Sequence, residues 1–166
     1  MDVFVVGAGG REHALCWAIS KSPQCEKLYC APGNAGIETL ADCVDISIED
    51  VPALVAFACD NRIDLVVIGP EAPLVLGLVN ELVAAGIKAF GPTREAAILE
   101  GSKAFMKDLF AKYDIPTAAY GRFTDYADAV AYVQEKGAPI VVKASGLAAG
   151  KGVILCETKD QAIEAL

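Results

Sequence analysis

The stretch VFVVGAGGREHAL occupies residues 3–15 and decides the fold. Its first four residues are β-branched or aromatic and lead directly into the glycine loop Gly7–Gly10. Because such a run is typical of a strand, and the apolar spacing beyond the loop is typical of a helix face, the stretch predicts a strand, a tight loop and a helix in succession. The apolar residues with this helical spacing are Ala14, Leu15, Ala18 and Ile19.

The alternation of strand and helix continues through the first ninety residues. Leu65–Ile68 is an unbroken apolar run, as expected for a parallel strand that is buried on both faces. Since alternating strands and helices pack as a parallel sheet with helices on both sides, we expect the α/β class with an N-terminal doubly wound, Rossmann-like sheet. Further strands are predicted at Lys27–Cys30, Cys43–Ile46 and Lys88–Phe90, and further helices at Glu49–Cys59 and Leu76–Ala85.

The pattern changes after Gly91-Pro92, where a second and incomplete α+β portion begins. We expect domain limits at residues 1–101, 102–121 and 122–166. The last segment, Lys159–Leu166, has an apolar helical face but no stop signal, so we expect a longer protein. The other elements predicted here are helices at Arg94–Leu99, Lys103–Tyr113 (with Ser102 as N-cap) and Tyr126–Lys136, and strands at Ala118–Phe123, Ile140–Lys143 and Val153–Cys156.

Composition excludes several broad functions. With 14 Lys and Arg against 22 Asp and Glu, the net charge is −8, which argues against a general electrostatic grip on nucleic acid or on an anionic membrane. No apolar stretch approaches the roughly 20 residues of a membrane helix, and the N-terminus does not resemble a secretion signal. We therefore expect a soluble cytoplasmic protein, and no obligate protein partner is evident.

The six cysteines are interpreted as reduced, structural thiols. No Cys-x-x-Cys pair occurs and His13 is the single histidine, so a zinc site is not expected. A lone imidazole of this kind is more often a packing or hydrogen-bonding residue than a catalytic one. The cysteines are Cys16, Cys25, Cys30, Cys43, Cys59 and Cys156.

The first glycine loop departs from the dinucleotide fingerprint. In GxGxxG the third glycine permits close packing of the helix, but this position is Glu12, and no carboxylate follows the second strand to bind a ribose; NAD is therefore not favoured. Gly9 and Gly10 still allow the backbone to approach a small anionic or polar ligand, with Arg11 supplying charge. The alternative is a tight turn with Arg11 and Glu12 solvated.

A second candidate ligand loop follows the buried strand Leu65–Ile68. It reads Gly69-Pro70-Glu71-Ala72-Pro73-Leu74, beyond the carboxyl end of the strand, where open α/β sheets bind ligands. The prolines fix the backbone around Glu71, whose carboxylate suits an amine or sugar hydroxyls. The alternative is a rigid turn with no ligand.

A third loop, Lys143–Gly152, joins two predicted strands and is rich in small residues. Its glycines allow backbone N–H groups to converge on phosphate oxygens, while Lys143 and Lys151 supply positive charge. It is not a Walker loop, because Gly152 stands where Ser or Thr is required and a strand follows. We favour phosphate binding over a plain glycine hairpin, with Lys103 as a further lysine for the same nucleotide.

Five motifs in this order resemble the phosphoribosylamine-glycine ligase family, also called glycinamide ribonucleotide synthetase, of the ATP-grasp superfamily. The lysine-flanked loop alone would indicate only an ATP-grasp enzyme, whereas the two N-terminal motifs are specific for this member of the purine pathway. The resemblance covers essentially the whole chain. The motifs are GAGGREHAL, KLYCAPGNAG, IGPEAPL, FGPTREAAILEGSKAFMK and IVVKASGLAAGKGV.

The resemblance implies ATP-dependent ligation of glycine to 5-phosphoribosylamine through a glycyl phosphate, with Mg²⁺ or Mn²⁺ as the metal. It places residues 1–101 as a pre-ATP-grasp substrate domain and 102–121 as the start of the ATP-grasp core. The implied ATP-binding residues are Lys103, Lys143, Ser145, Gly146, Ala148, Ala149, Gly150, Lys151 and Gly152. The candidate substrate-binding residues are Gly9, Gly10, Arg11, Glu12, Glu71 and Pro73.

Two departures from the family pattern limit this expectation. Ser145 stands where the family usually has Asp, which we expect to tune the loop without abolishing nucleotide contact. The adenine pocket and the metal ligands of the family lie beyond Leu166, so we expect no metal site in this chain and no catalysis by the chain alone. The alternatives are a different ATP-grasp ligase and a non-catalytic nucleotide-binding module.

Overall fold

A computed structural model of the protein describes residues 1–146 and 152–166. The chain divides into two compact units, an N-terminal unit (Met1–Ile98) and a C-terminal unit (Leu99–Leu166). In the described part of the chain, no helix is both long and apolar enough to cross a bilayer.

The N-terminal unit contains a five-stranded parallel sheet with the order β3-β2-β1-β4-β5. The central strand β1 pairs with β2 and β4 on its two sides, and its residues Val3–Val6 are buried. A strand that is paired at both edges and covered on both faces must be apolar throughout, which explains its VFVV sequence. The strands are β1 (Asp2–Gly7), β2 (Lys27–Pro32), β3 (Asp42–Cys43), β4 (Leu65–Ile68) and β5 (Lys88–Phe90).

Helices cover both faces of this sheet, so the predicted doubly wound architecture is confirmed. Phe4 and Val6 pack on one face in a core that includes Leu54 and Leu82. Val3 and Val5 belong to a second core on the other face, together with Cys16. The helices are α1 (Gly10–Ser20), α2 (Val51–Asp60), α3 (Glu71–Leu76), α4 (Leu78–Ala84) and α5 (Arg94–Gly101), and a 3₁₀ turn spans Ile37–Thr39.

The helix predicted over Leu76–Ala85 differs from the structure, which has two short helices that meet at Gly77. This glycine has a φ of +92°, which side chains of L-residues rarely adopt. The guanidinium of Arg94 lies over Gly77 and donates a hydrogen bond to the carbonyl of Leu76 at 2.6 Å. The left-handed conformation of Gly77 ends α3 and separates it from α4.

The third strand is also shorter than the predicted Cys43–Ile46. Val44 still donates a backbone hydrogen bond to Cys30 on β2, at 2.8 Å. The amide of Ile46 instead donates to the carbonyl of Val44, also at 2.8 Å, so the chain turns away from the sheet after two paired residues. Apolar alternation alone does not reveal this turn.

The C-terminal unit contains an antiparallel hairpin, and two helices, Tyr126–Lys136 and Lys159–Glu164, pack against it. Its small core is formed by Val133, Cys156 and Ala162, with Ile140 and Val142 packed against them. The elements are α6 (Lys103–Lys112, capped by Ser102), α7 (Tyr126–Lys136), β6 (Ile140–Lys143), β7 (Val153–Cys156) and α8 (Lys159–Glu164).

The strand predicted at Ala118–Phe123 is wrong, since the segment is irregular. Side chains, rather than a strand ladder, attach it to α6. Lys107 donates to the carbonyl of Ala118 at 3.1 Å, and Asp108 accepts from both Tyr120 and Arg122. An aromatic and β-prone segment therefore remains outside both sheets because its polar side chains contact a helix.

We expect Asp50→Ala to lower the free energy of unfolding of the N-terminal unit by about 1 kcal/mol, the usual value of an N-cap. The Asp50 carboxylate caps α2 by accepting a hydrogen bond from the amide of Ala53 at 3.0 Å. The measurement is urea denaturation followed by the fluorescence of Trp17, which lies in the same unit. Asp60→Ala removes the same charge at the other end of α2 and should change stability by less than about 0.5 kcal/mol. Equal losses in the two variants would contradict the capping role.

Candidate functional site

The site in the N-terminal unit lies where the strand order of the sheet reverses. The strands β1 and β4 are neighbours, and chain connections leave them in opposite directions along the sheet. In open α/β sheets, ligands bind at the carboxyl ends of the strands at this position. Two loops meet here, the β1 loop (Ala8–Gly9) and the β4 loop (Gly69–Pro70).

The β1 loop is closed by the side chain of Glu12. The amide of Gly9, the N-cap of α1, donates a hydrogen bond to Oε2 of Glu12 at 2.7 Å. Glu12 is only 5% exposed, so the alternative in which this residue is solvated is wrong. Beside it, Gly10 has open space where a Cβ would be, which leaves the start of α1 accessible.

Arg11 connects the two loops. Its Nη1 donates to the carbonyl of Gly69 at 2.8 Å and lies 3.5 Å from Oε1 of Glu71. Two residues that are 60 positions apart in the sequence therefore present opposite charges side by side. The pair is largely exposed, and ion pairs of this kind contribute about 0–1 kcal/mol to stability. Its energetic value in folding is small, so both side chains are available to a ligand.

Glu71 and Pro73 lie in the first turn of α3. Pro70 precedes the helix as its N-cap, and Pro73 is buried. Both interpretations of this segment, a ligand loop and a rigid turn with no ligand, stay predictions. A proline in the first turn of a helix leaves no hydrogen bond unsatisfied, because the first amides of a helix have no partner inside it. Glu71 is thereby held on a helix that starts at the candidate ligand edge, which is the carboxyl ends of β1 and β4 with the loops that follow them.

Asn34, after strand β2, is a site-forming residue that sequence reasoning missed. Its Nδ2 donates to the carbonyl of Ala8 in the β1 loop at 2.8 Å. Its Oδ1 accepts from the amides of Gly36 and Ile37 at 2.8 and 3.0 Å. The available signal is the run Pro32–Gly36 in the motif KLYCAPGNAG, whose composition is typical of a break after a strand. The His13 ring packs closely against Gly36, in agreement with a packing role.

The C-terminal unit brings several of the predicted phosphate-binding residues together at the end of its hairpin. Lys103, the first residue of α6, donates from Nζ to the carbonyl of Gly146 at 2.9 Å. The amide of Ala104 lies 3.5 Å from Oγ of Ser145. Lys143 is exposed at the end of β6, and the hairpin ladder reaches Gly152, whose carbonyl accepts from Ala144 at 2.9 Å. The predicted residues Ala148, Ala149, Gly150 and Lys151 lie outside the described residues.

The comparison with family models covers both units. Residues 1–100 match the N domain of phosphoribosylglycinamide synthetase, and residues 101–166 match the ATP-grasp (A) domain of the same synthetase.

The chain belongs to the phosphoribosylglycinamide synthetase family.

Curated relatives in this family are similar along the whole chain. The phosphoribosylamine-glycine ligases of Brucella melitensis and Vibrio cholerae are each 58% identical to it, over 166 and 168 residues. Both matches cover 100% of this chain and 39% of the relative. The chain therefore spans about two fifths of the length of these synthetases.

Solved structures agree with the fold of a phosphoribosylglycinamide synthetase. The phosphoribosylamine-glycine ligase of Thermotoga maritima is 31% identical, with a TM-score of 0.76 over 99% of this chain and 38% of that one. N5-carboxyaminoimidazole ribonucleotide synthetase of Thermus thermophilus has a TM-score of 0.75 at 20% identity, over 99% of this chain and 43% of its own. The second likeness shows a common fold alone.

Thiols of this synthetase chain lie close to the β1 loop without forming disulfides. All six cysteines are free, and the Cys30 thiol donates to the carbonyl of Gly7 at 3.3 Å. The hydrogen bond with Cys16, together with burial, raises the pKa of Cys30 above its ordinary value. Burial also raises the pKa of Cys43. Since the thiolate is the reactive form of cysteine, the raised pKa values of Cys30 and Cys43 disfavour reaction at these two thiols.

The described residues offer no metal centre. Within residues 1–146 and 152–166, no three His, Cys, Asp or Glu side chains are grouped so as to hold an ion. The charged residues at the ligand edge are instead Arg11 and Glu71, one of each sign, which suits a ligand with both anionic and polar or cationic groups.

We expect Asn34→Ala to destabilise the N-terminal unit by about 1–3 kcal/mol, because it leaves backbone groups on two loops without a partner. Asn34→Asp keeps the acceptor for Gly36 and Ile37 and loses only the donor to Ala8. Urea denaturation should therefore place Asn34→Asp between Asn34→Ala and the unaltered protein. An Asn34→Ala variant as stable as the unaltered chain would contradict this account of the loop.

Proposed function

We propose that this chain is the N-terminal part of an enzyme that joins glycine to 5-phosphoribosylamine at the expense of ATP. The products are glycinamide ribonucleotide, ADP and phosphate, in purine biosynthesis. The observation that carries the proposal is the match of two adjoining family models to all 166 residues. Because the chain spans 39% of the relatives, the complete activity is assigned to the longer protein.

The ligand edge of the N-terminal unit is proposed to bind 5-phosphoribosylamine. Gly9 and Gly10 allow a ligand to approach the start of α1, where the helix dipole and the first-turn amides favour an anion such as the sugar phosphate, while the amide of Gly9 itself is bonded to Glu12. Arg11 adds a positive charge on a side chain that is 63% exposed. Glu71 supplies a carboxylate for sugar hydroxyls or the amine, and buried Pro73 supports the turn that carries it.

The hairpin of the C-terminal unit is proposed to bind the phosphates of ATP. Lys103 and Lys143 supply charge from α6 and β6, and the bond from Lys103 to Gly146 places the first lysine beside the loop. Glycine at positions 146 and 152 lets backbone amides approach phosphate oxygens. The proposed set is completed by Ser145, Ala148, Ala149, Gly150 and Lys151.

The proposed domain limits remain residues 1–101, 102–121 and 122–166.

The proposed reaction has two steps. The glycine carboxylate attacks the γ-phosphorus of ATP and releases ADP, and the amine of phosphoribosylamine then attacks the carbonyl of the acyl phosphate and releases phosphate. Lysine ammonium groups stabilise the charge that accumulates on the phosphoryl oxygens during the first step. A bound Mg²⁺ or Mn²⁺ would neutralise further phosphate charge, and its ligands are proposed to follow residue 166. ADP with magnesium is present in the biotin carboxylase domain of Hydrogenobacter thermophilus, a fold neighbour with a TM-score of 0.77 at 18% identity.

In the full-length enzyme, Lys143→Ala should make the free energy of ATP binding, or the activation free energy of turnover, less favourable by about 1.5 to 3 kcal/mol. This is the value expected for a lost charge-assisted hydrogen bond to phosphate. Steady-state ADP formation with glycine and phosphoribosylamine measures the effect. Lys112→Ala removes the same charge from the far end of α6 and is expected to leave the rates unchanged. Unaltered nucleotide affinity and rate in Lys143→Ala would remove this residue from the site.

The substrates themselves are tested with the unaltered full-length protein. ADP should form above background only when ATP, a divalent metal, glycine and phosphoribosylamine are all present. Formation of ADP with another acid or another amine in a substrate panel would instead indicate a different ATP-grasp ligase. A full-length protein that binds ATP and forms no ADP with any pair would indicate a non-catalytic nucleotide-binding protein.

A further inference from the structure

We propose that Glu12 is a positioning residue that holds the β1 and β4 loops in register and does not itself contact the substrate. This inference rests on the proposed function, because it concerns the loops assigned to phosphoribosylamine. Glu12 is the buried charged residue of the described chain, at 5% exposure, among loops whose other charged side chains are largely exposed. A carboxylate is rarely buried unless it is paired or hydrogen-bonded.

The carboxylate of Glu12 contacts both loops. Oε2 accepts the hydrogen bond from the amide of Gly9 in the β1 loop. The side chain also lies directly against Gly7 and Gly69, so that a Cβ at either position would overlap it. Gly69 has no positive φ that would by itself require glycine. The glycine at position 69 is therefore explained by the space that the Glu12 carboxylate occupies.

This arrangement inverts the packing of the dinucleotide fingerprint. In GxGxxG the third glycine removes a side chain from the helix so that helix and strand approach closely. Here that helix position carries Glu12, and glycines in the loops make room for it instead. The negative charge is stabilised by the amide of Gly9 and by the N-terminal end of the α1 dipole.

A second contact fixes the same spacing. Arg11 donates to the carbonyl of Gly69, while the amide of Gly69 donates to Val6 on β1 at 3.0 Å. Gly69 is thus held by the sheet on one side and by two consecutive residues of α1 on the other. We call the contacts of Arg11 and Glu12 with Gly69 the brace. The start of α1 and the carboxylate of Glu71 are proposed to bind two parts of one sugar phosphate, and the distance between them depends on this brace.

The test compares Glu12→Ala, Glu12→Gln and the exposed control Glu49→Ala in the full-length protein. Ribose 5-phosphate serves as a stable probe of the sugar-phosphate site in calorimetry, and steady-state kinetics give KM for phosphoribosylamine and ATP. Glu12→Ala should raise both the Kd for ribose 5-phosphate and the KM for phosphoribosylamine by about tenfold or more, because a hydrogen bond to a buried carboxylate is lost. The KM for ATP should remain nearly unchanged. Glu12→Gln should recover most of this loss, since its amide oxygen can still accept from Gly9. Glu49→Ala should match the unaltered protein.

Hydrogen–deuterium exchange provides a readout that does not depend on catalysis. Peptides over residues 7–13 and 67–72 should exchange faster in Glu12→Ala and at nearly normal rates in Glu12→Gln. If Glu12→Ala does not fold, Gly69→Ala replaces it, because the added methyl displaces the carboxylate without removing it and should give the same selective loss of sugar-phosphate affinity. A Glu12→Gln variant as impaired as Glu12→Ala, with unchanged exchange, would show a charged contact with the substrate and overturn the proposal.

The outcomes for the brace and for the enzyme are separable. Unaltered full-length protein that forms no ADP with glycine and phosphoribosylamine overturns the proposed function. The exchange rates would still support the brace if they respond to Glu12→Ala and recover in Glu12→Gln. Normal exchange and normal ribose 5-phosphate affinity in Glu12→Ala would overturn the brace even where ligation is fully active.

Discussion

The pairing of β1 with β2 on one side and β4 on the other is the constraint on which the N-terminal unit depends. It buries β1 from Val3 to Gly7, so this part of the strand has no tolerance for a polar side chain, and the strand ends in glycine. It also places the ends of three strands beside one another. The loops that follow them can then exchange hydrogen bonds, from Asn34 to Ala8 and from Arg11 to Gly69, which no stretch of sequence would make alone.

The charges at the ligand edge explain how an acidic protein can have an anion site. A net charge of −8 repels anions at long range, but screening reduces this repulsion beyond about 10 Å at moderate ionic strength. At short range, the local groups decide the outcome. The start of α1 and Arg11 are positive, and of the two carboxylates nearby, Glu71 lies beside Arg11 while Glu12 is turned inward and bonded to a backbone amide. Burial of this carboxylate therefore favours anion binding, because it keeps a negative side chain off the binding surface.

The sequence predicted those features that depend on local pattern. The apolar runs of β1 and β4 identified buried parallel strands, and the glycine residues identified the loops that follow them, since both signals are contained in a few consecutive residues. The errors came from contacts between distant residues. Ala118–Phe123 has strand-forming residues, but its side chains are held by α6, and a left-handed Gly77 divides a helix that is continuous in apolar spacing. The burial of Glu12 could not be read from spacing, because Gly69, which makes room for it, is 57 positions away.

The two proposed sites are carried by hydrophobic cores of unequal size. The N-terminal ligand edge rests on a five-stranded sheet with a core on each face, whereas the hairpin rests on a core of three buried side chains, Val133, Cys156 and Ala162. Its outer face carries exposed apolar residues, including Leu155 at 78% exposure, so only one face of the two strands contributes to burial. A two-stranded hairpin with so little burial is marginal by itself. Lys103 lies on α6, outside the hairpin, and its hydrogen bond to the carbonyl of Gly146 adds a contact that the core of the hairpin does not provide. A lysine that leaves this carbonyl to bind phosphate would therefore remove one contact between α6 and the hairpin as well as change the charge beside Gly146.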